Sequence, residues 1–124
     1  MLREVCFLID RDGGVLWADA SASAVALPDS RGRWEAIWRL RAELAEIAHS
    51  HPCGPEAFSD EDESTMEAID SALGRPVRYT VVAARATIAR VAGATFRMDP
   101  EPWWARLLRL ASGMTRDFHK EMRR

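Results

Sequence analysis

The sequence predicts an α/β fold: a mixed β-sheet packed with α-helices, followed by a C-terminal amphipathic helix. Three observations carry this. Short runs rich in β-formers (residues 3–10, 15–19, 77–83 and 87–91) alternate with stretches of helical periodicity. Turn residues and prolines separate them. No apolar run reaches the length of a membrane span. With 124 residues, 48% hydrophobic and 29% charged, the chain suits one soluble domain that closes its core without staples.

In chain order, residues 3–10 (REVCFLID) read as a strand, 11–14 (RDGG) as a turn, and 15–19 (VLWAD) as the returning strand of a hairpin. Residues 20–30, small or polar and containing Pro28, form a connection. A helix is expected over 31–44, where Trp34, Ile37, Trp38, Leu40 and Leu44 form an apolar stripe suited to core packing. Residues 45–50 (AEIAHS) then enter the sheet. After a loop at 53–58, a second helix runs from 59 to about 73 and ends near Gly74 and Pro76. Strands follow at 77–83 and 87–91, with Phe96 in one more short pairing. Pro100 and Pro102 precede a helix over 103–122, with Trp104, Leu107, Leu108, Ala111, Thr115, Phe118 and Met122 on one side and Gly113 as its weak point. That stripe either docks on the parent domain or offers a handle for a homodimer or partner protein. The division expected is a domain over 1–98 and a helical tail over 99–124.

The chain is organised around residues 49–62, HSHPCGPEAFSDED. Alternate strand residues share a face, so His49 and His51 project together. Pro52 cannot donate to a ladder and should stop the strand. Ser59 has the character of a helix N-cap, with Asp62 three residues later in the first turn. Two imidazoles at a strand end and one carboxylate at a helix start make a three-ligand site with room for water, as a hydrolytic zinc requires. Taken singly, H-x-H is an ordinary surface pair and S-x-x-D an ordinary cap; it is their combination that singles out the segment.

The combination, H-x-H-P-x6-S-x-x-D, resembles the JAMM motif of the JAB/MPN metallopeptidases. The segment also resembles RadC-type proteins, which usually carry Ser-Gly where this chain has Cys53-Gly54. The resemblance covers roughly residues 3–91 and implies a cytidine-deaminase-like sheet, Zn2+ on His49, His51 and Asp62, and a catalytic glutamate on an early strand. Glu4, in a segment similar to the family's E-x-x-G-x-L, takes that place as general base and acid, with Phe7 where glycine is common. Glu4 is thereby preferred to Glu35, Glu43 and Glu46; without the resemblance it would read as a solvent-facing strand residue. By the same resemblance Ser59 binds the oxyanion. The implied activity is that of a zinc peptidase or deubiquitinase-like isopeptidase acting at the C-terminus of a ubiquitin-like protein, with activating- or conjugating-enzyme-like proteins as operon partners. The alternatives are a RadC-like or non-catalytic MPN-type binding module, and an Fe(II) site of the two-histidine, one-carboxylate kind.

Charge and cysteine content set bounds. A net charge of −2 gives no global case for nucleic-acid binding. Cys6 and Cys53 are too few for a disulfide framework, and MLREVCFLID lacks a signal-peptide pattern, so a cytoplasmic protein with reduced thiols is expected. Cys53 falls beside the motif and is read as a loop residue. From Glu56 to Asp70 there are seven acidic residues and no basic one: a solvated face favourable to the helix dipole, or a rim for a basic partner.

Overall fold

The computed structural model describes residues 2–27 and 30–114. Among them a six-stranded mixed sheet has the order β2-β1-β3-β4-β5-β6 and is packed with three helices. β1 (Val5–Asp10) and β2 (Val15–Ala20) form the expected hairpin. Asp10 ties its turn, accepting at Oδ1 from the amides of Asp12 (2.9 Å) and Gly14 (2.8 Å). Gly13, at φ 82°, supplies the left-handed residue.

α1 (Arg31–Arg39) starts at Ser30, whose hydroxyl accepts from the Arg33 amide at 3.2 Å. It is shorter than predicted. Leu44 is not its last residue but the first of β3 (Leu44–His51), where it pairs with Asp10 and is buried. Pairing with a neighbour on each side outweighs the helical period of Leu40 and Leu44. Trp38 also leaves the predicted stripe: it is 54% exposed, with the Arg41 guanidinium 4.1 Å above its ring.

β3 runs antiparallel to β1 and parallel to β4 (Arg78–Ala83). A parallel pair needs a crossover, and α2 (Asp60–Leu73) provides it. Gly74, at φ 70°, closes α2. β5 (Thr87–Val91) and β6 (Ala94–Arg97) form a second hairpin through Ala92 and Gly93, both at positive φ.

The sheet separates two cores. On one face Cys6, Leu8, Ile47 and Tyr79 pack with Ile37 of α1 and with Met66 and Ile69 of α2. On the other, Val5, Phe7, Ile9, Ala48 and Val82 pack with Trp104, Ala105 and Leu108 of α3 (Trp103–Ser112). α3 is thus docked on the sheet through one side, while Trp103, Leu107 and Leu110 are exposed. Gly113, at φ 88°, ends α3 rather than merely weakening it. The predicted positions Thr115, Phe118 and Met122, like Pro28, lie outside the described residues. The end of α3 is bonded to Arg3: the Arg3 amide donates to Ser112 O at 3.0 Å and Ser112 Oγ to Arg3 O at 2.6 Å. Among the described residues no helix is long and apolar enough to cross a membrane.

Candidate metal centre

The centre lies where the parallel strands end and α2 begins, the position at which open α/β sheets commonly bind ligands. β3 stops at His51, before Pro52, and presents His49 and His51 on the α2 side. Ser50 points the other way, and its hydroxyl accepts from the Val5 amide at 2.9 Å.

α2 brings the carboxylate. Ser59 caps the helix and Asp62 answers it: the Asp62 amide donates to Ser59 Oγ (3.1 Å) and the Ser59 amide to Asp62 Oδ2 (2.8 Å). The box holds the Asp62 carboxylate against both imidazoles, Oδ1 at 3.3 Å from His49 Nε2 and Oδ2 at 3.4 Å from His51 Nε2. The two Nε2 atoms are 3.0 Å apart.

Glu4 stands beside the histidines, just ahead of the neighbouring strand β1. β1 is antiparallel to β3 with Cys6 across from His49, so the same register two residues earlier sets Glu4 at the level of His51. Ser21 and Ser23 fix its backbone: its amide donates to Ser23 O at 2.8 Å, and its carbonyl accepts from the Ser21 amide at 2.9 Å. Glu4 is 5% exposed, not solvent-facing. Glu4, His49 and His51 each offer a ligand atom within 4.8 Å of the others, a Glu/His/His cluster within metal-binding distance. Glu35 is exposed and paired with Arg31, Glu43 is exposed, and Glu46 bonds Thr80 on the far face, so none of them reaches the cluster.

The electrostatics are divided between the two carboxyls. Burial raises the Glu4 pKa, and the nearby His49 and His51 offset it only partly. Burial pushes Asp62 the same way, but hydrogen bonds to His49 and His51 and from the Ser59 amide hold it well below the usual carboxylate range. Burial alone would lower the His51 pKa; Asp62 and the Pro55 carbonyl reverse the direction. His51 Nδ1 is 3.0 Å from Pro55 O. A carbonyl only accepts, so Nδ1 carries the proton, and in the neutral ring the Nε2 lone pair faces the centre.

The donor set fits a cation. The two imidazole nitrogens are 3.0 Å apart, near the edge of about 3.3 Å in a tetrahedral zinc site with bonds of about 2.0–2.1 Å, and the Asp62 carboxylate lies beside them with Oδ1 3.3 Å from His49 and Oδ2 3.4 Å from His51. Ser59 Oγ uses a lone pair for its cap and keeps its proton to donate. Cys53 is exposed in the adjoining loop, whereas the buried Cys6 thiol is pushed up to about 12, chiefly by burial.

A cleft of about 770 Å3 opens from the centre between α1, residues 25–27 and α2. Arg33 lines it and is bonded to Asp19 at 2.9 Å. Phe58 lies beside His49, with ring centroids 6.5 Å apart, and under the Arg90 guanidinium. The Pro55 carbonyl and the Arg33–Asp19 pair were not foreseen from the sequence. A backbone acceptor leaves no signature in residue type, and the ion pair joins residues 14 apart.

No protein-family model matches the chain, and no curated protein matches it.

Proposed function

We propose that the protein is a zinc-dependent peptidase or isopeptidase of the JAMM type, on a cytidine-deaminase-like sheet. The observation that carries this reading is the clustering of His49 and His51 with two carboxyls, Asp62 within 3.3–3.4 Å of their Nε2 atoms and the buried Glu4 within metal-binding distance of both. His49, His51 and Asp62 are assigned as zinc ligands, Glu4 as general base and acid, and Ser59 as oxyanion donor. Zinc bound there supplies the Lewis acidity that makes water a nucleophile near pH 7.

The protein's own groups do the rest. Glu4 takes the proton of the attacking water as the C–O bond forms, and its burial, which raises its pKa, favours the form that holds the proton. Ser59 Oγ–H donates to the carbonyl oxygen as negative charge develops on it. Glu4 then passes the proton to the amine as the C–N bond breaks, which leaves a carboxylic acid and a free amine. Asp62 remains ionised throughout, because its neighbours stabilise only the charged form.

The assigned substrate is the C-terminus of a ubiquitin-like protein, in peptide or isopeptide linkage; the motif resemblance supports it. The test is incubation of the zinc-loaded protein with a panel of ubiquitin-like conjugates and precursors. Cleavage that a chelator abolishes is the expected result. A protein that takes up zinc and cleaves none of them loses this substrate, and one that takes up no zinc after reconstitution is a partner-binding module instead.

A further inference from the structure

Glu4 lies just ahead of β1, outside the ladder that joins β1 to β3. That ladder ends at Cys6 and His49, and in the same register the next pair would be Val5 and Ser50. There a side chain takes over from the backbone. The Ser50 hydroxyl accepts from the Val5 amide at 2.9 Å and donates to the Arg3 carbonyl at 3.4 Å. Val5 and Arg3 flank Glu4, so one oxygen holds the chain on both sides of it. Ser50 is fully buried and lies between His49 and His51 in sequence. The two imidazoles leave β3 on one face and the hydroxyl leaves it on the other. Ser21 and Ser23 also bond the Glu4 backbone, and Ser112 bonds Arg3, but none of these belongs to β3. Ser50 thus carries the hold of the histidine strand past the end of its ladder. Alanine would pack in its place, yet it would leave the buried Val5 amide without this acceptor.

We infer that Ser50 is a positioning residue for Glu4: its hydroxyl fixes how far the Glu4 carboxyl stands from His49 and His51. This deepens the hydrolase reading and rests on it for the role of Glu4 as proton carrier. The hold itself is geometric and is measured without turnover.

Crystal structures of the zinc-loaded wild type and of Ser50→Ala read it directly. In Ser50→Ala the Glu4 carboxyl is expected to move by more than about 0.5 Å relative to the histidine rings, beyond the tolerance of a productive constellation. With zinc content unchanged, kcat on a ubiquitin-like conjugate that the wild type cleaves should fall on the order of 100-fold at nearly constant KM. Ser50→Ala added to Glu4→Gln should cost no further turnover, because the carboxyl through which Ser50 acts is already gone. Ser50→Cys, of similar size and with a weaker acceptor, takes the same place if Ser50→Ala does not fold. An unmoved carboxyl, a kcat that does not fall, or a full further loss in the Glu4→Gln background overturns the inference. Zinc lost from the Ser50 variant overturns it too, since the effect would then lie on the histidines. A moved carboxyl in a protein that cleaves no conjugate upholds the hold by Ser50 and counts against the hydrolase reading.

Discussion

The Ser59 amide donates to Asp62 Oδ2 at 2.8 Å, and the Asp62 amide donates back to Ser59 Oγ at 3.1 Å. One pair of residues therefore both starts α2 and aims a carboxylate at His49 and His51. Ser59→Ala is expected to cost about 1 kcal/mol of stability, read from urea midpoints. Turnover should fall further than the change in folded population accounts for, because the oxyanion donor is lost as well. Turnover that falls only with the folded fraction would reduce Ser59 to a cap.

Metal removal should be visible in unfolding. At a free zinc concentration about 100 times the dissociation constant, binding adds about 2.7 kcal/mol, worth roughly 10 °C in a domain of this size. A chelator should remove that increment from the wild type. His51→Ala should melt at the lower temperature with or without chelator. Identical melting of all four samples would mean that these residues hold no metal.

Glu4 and Asp62 are both carboxyls at the centre, and their amides should behave differently. Glu4→Gln is expected to retain zinc and lose roughly 10²–10⁴-fold in turnover, since the amide cannot take a proton. Asp62→Asn should lose zinc and turnover together, because a charged ligand becomes neutral. Zinc lost from Glu4→Gln and kept in Asp62→Asn would make Glu4 the ligand, the grouping with His49 and His51 that the 4.8 Å cluster also permits.

Glu46 lies on the α3 side of the sheet, bonded by the Thr80 hydroxyl and near Arg78. Burial raises its pKa, and Thr80 and Arg78 offset this only partly. The folded chain therefore holds a proton that the unfolded chain releases. This contribution to stability is complete below the ordinary glutamate pKa and is lost as pH rises through the raised value. Glu46→Gln should lack that decline and be the more stable form at neutral pH. Urea midpoints from about pH 4 to pH 8 for both proteins measure it, and parallel curves would show that Glu46 ionises in the fold at no cost.

What the sequence made legible was local. The two-residue spacing of His49 and His51, the stop at Pro52 and the cap at Ser59 each follow from one residue's geometry, and the structure brings those side chains together. Leu44 was misplaced because its helical spacing from Leu40 is real, while its pairing with Asp10 lies 34 residues away. The exposure of Trp38 and the end of α3 at Gly113 depend, respectively, on which side of α1 the sheet covers and on a positive φ. The burial of Glu4 was equally hidden, since its neighbours are distant in sequence: residues 21 and 23 bond its backbone, and His49 and His51 lie beside its carboxyl.

α3 sits behind the sheet, yet its last turn is bonded to Arg3, the residue before Glu4. The rear helix is thus the mount of the front carboxyl. A load on the exposed side of α3 passes through Ser112 and one peptide unit to the group assigned to carry the proton. Loosening Ser112 would free the Arg3 peptide unit on which the aim of Glu4 depends.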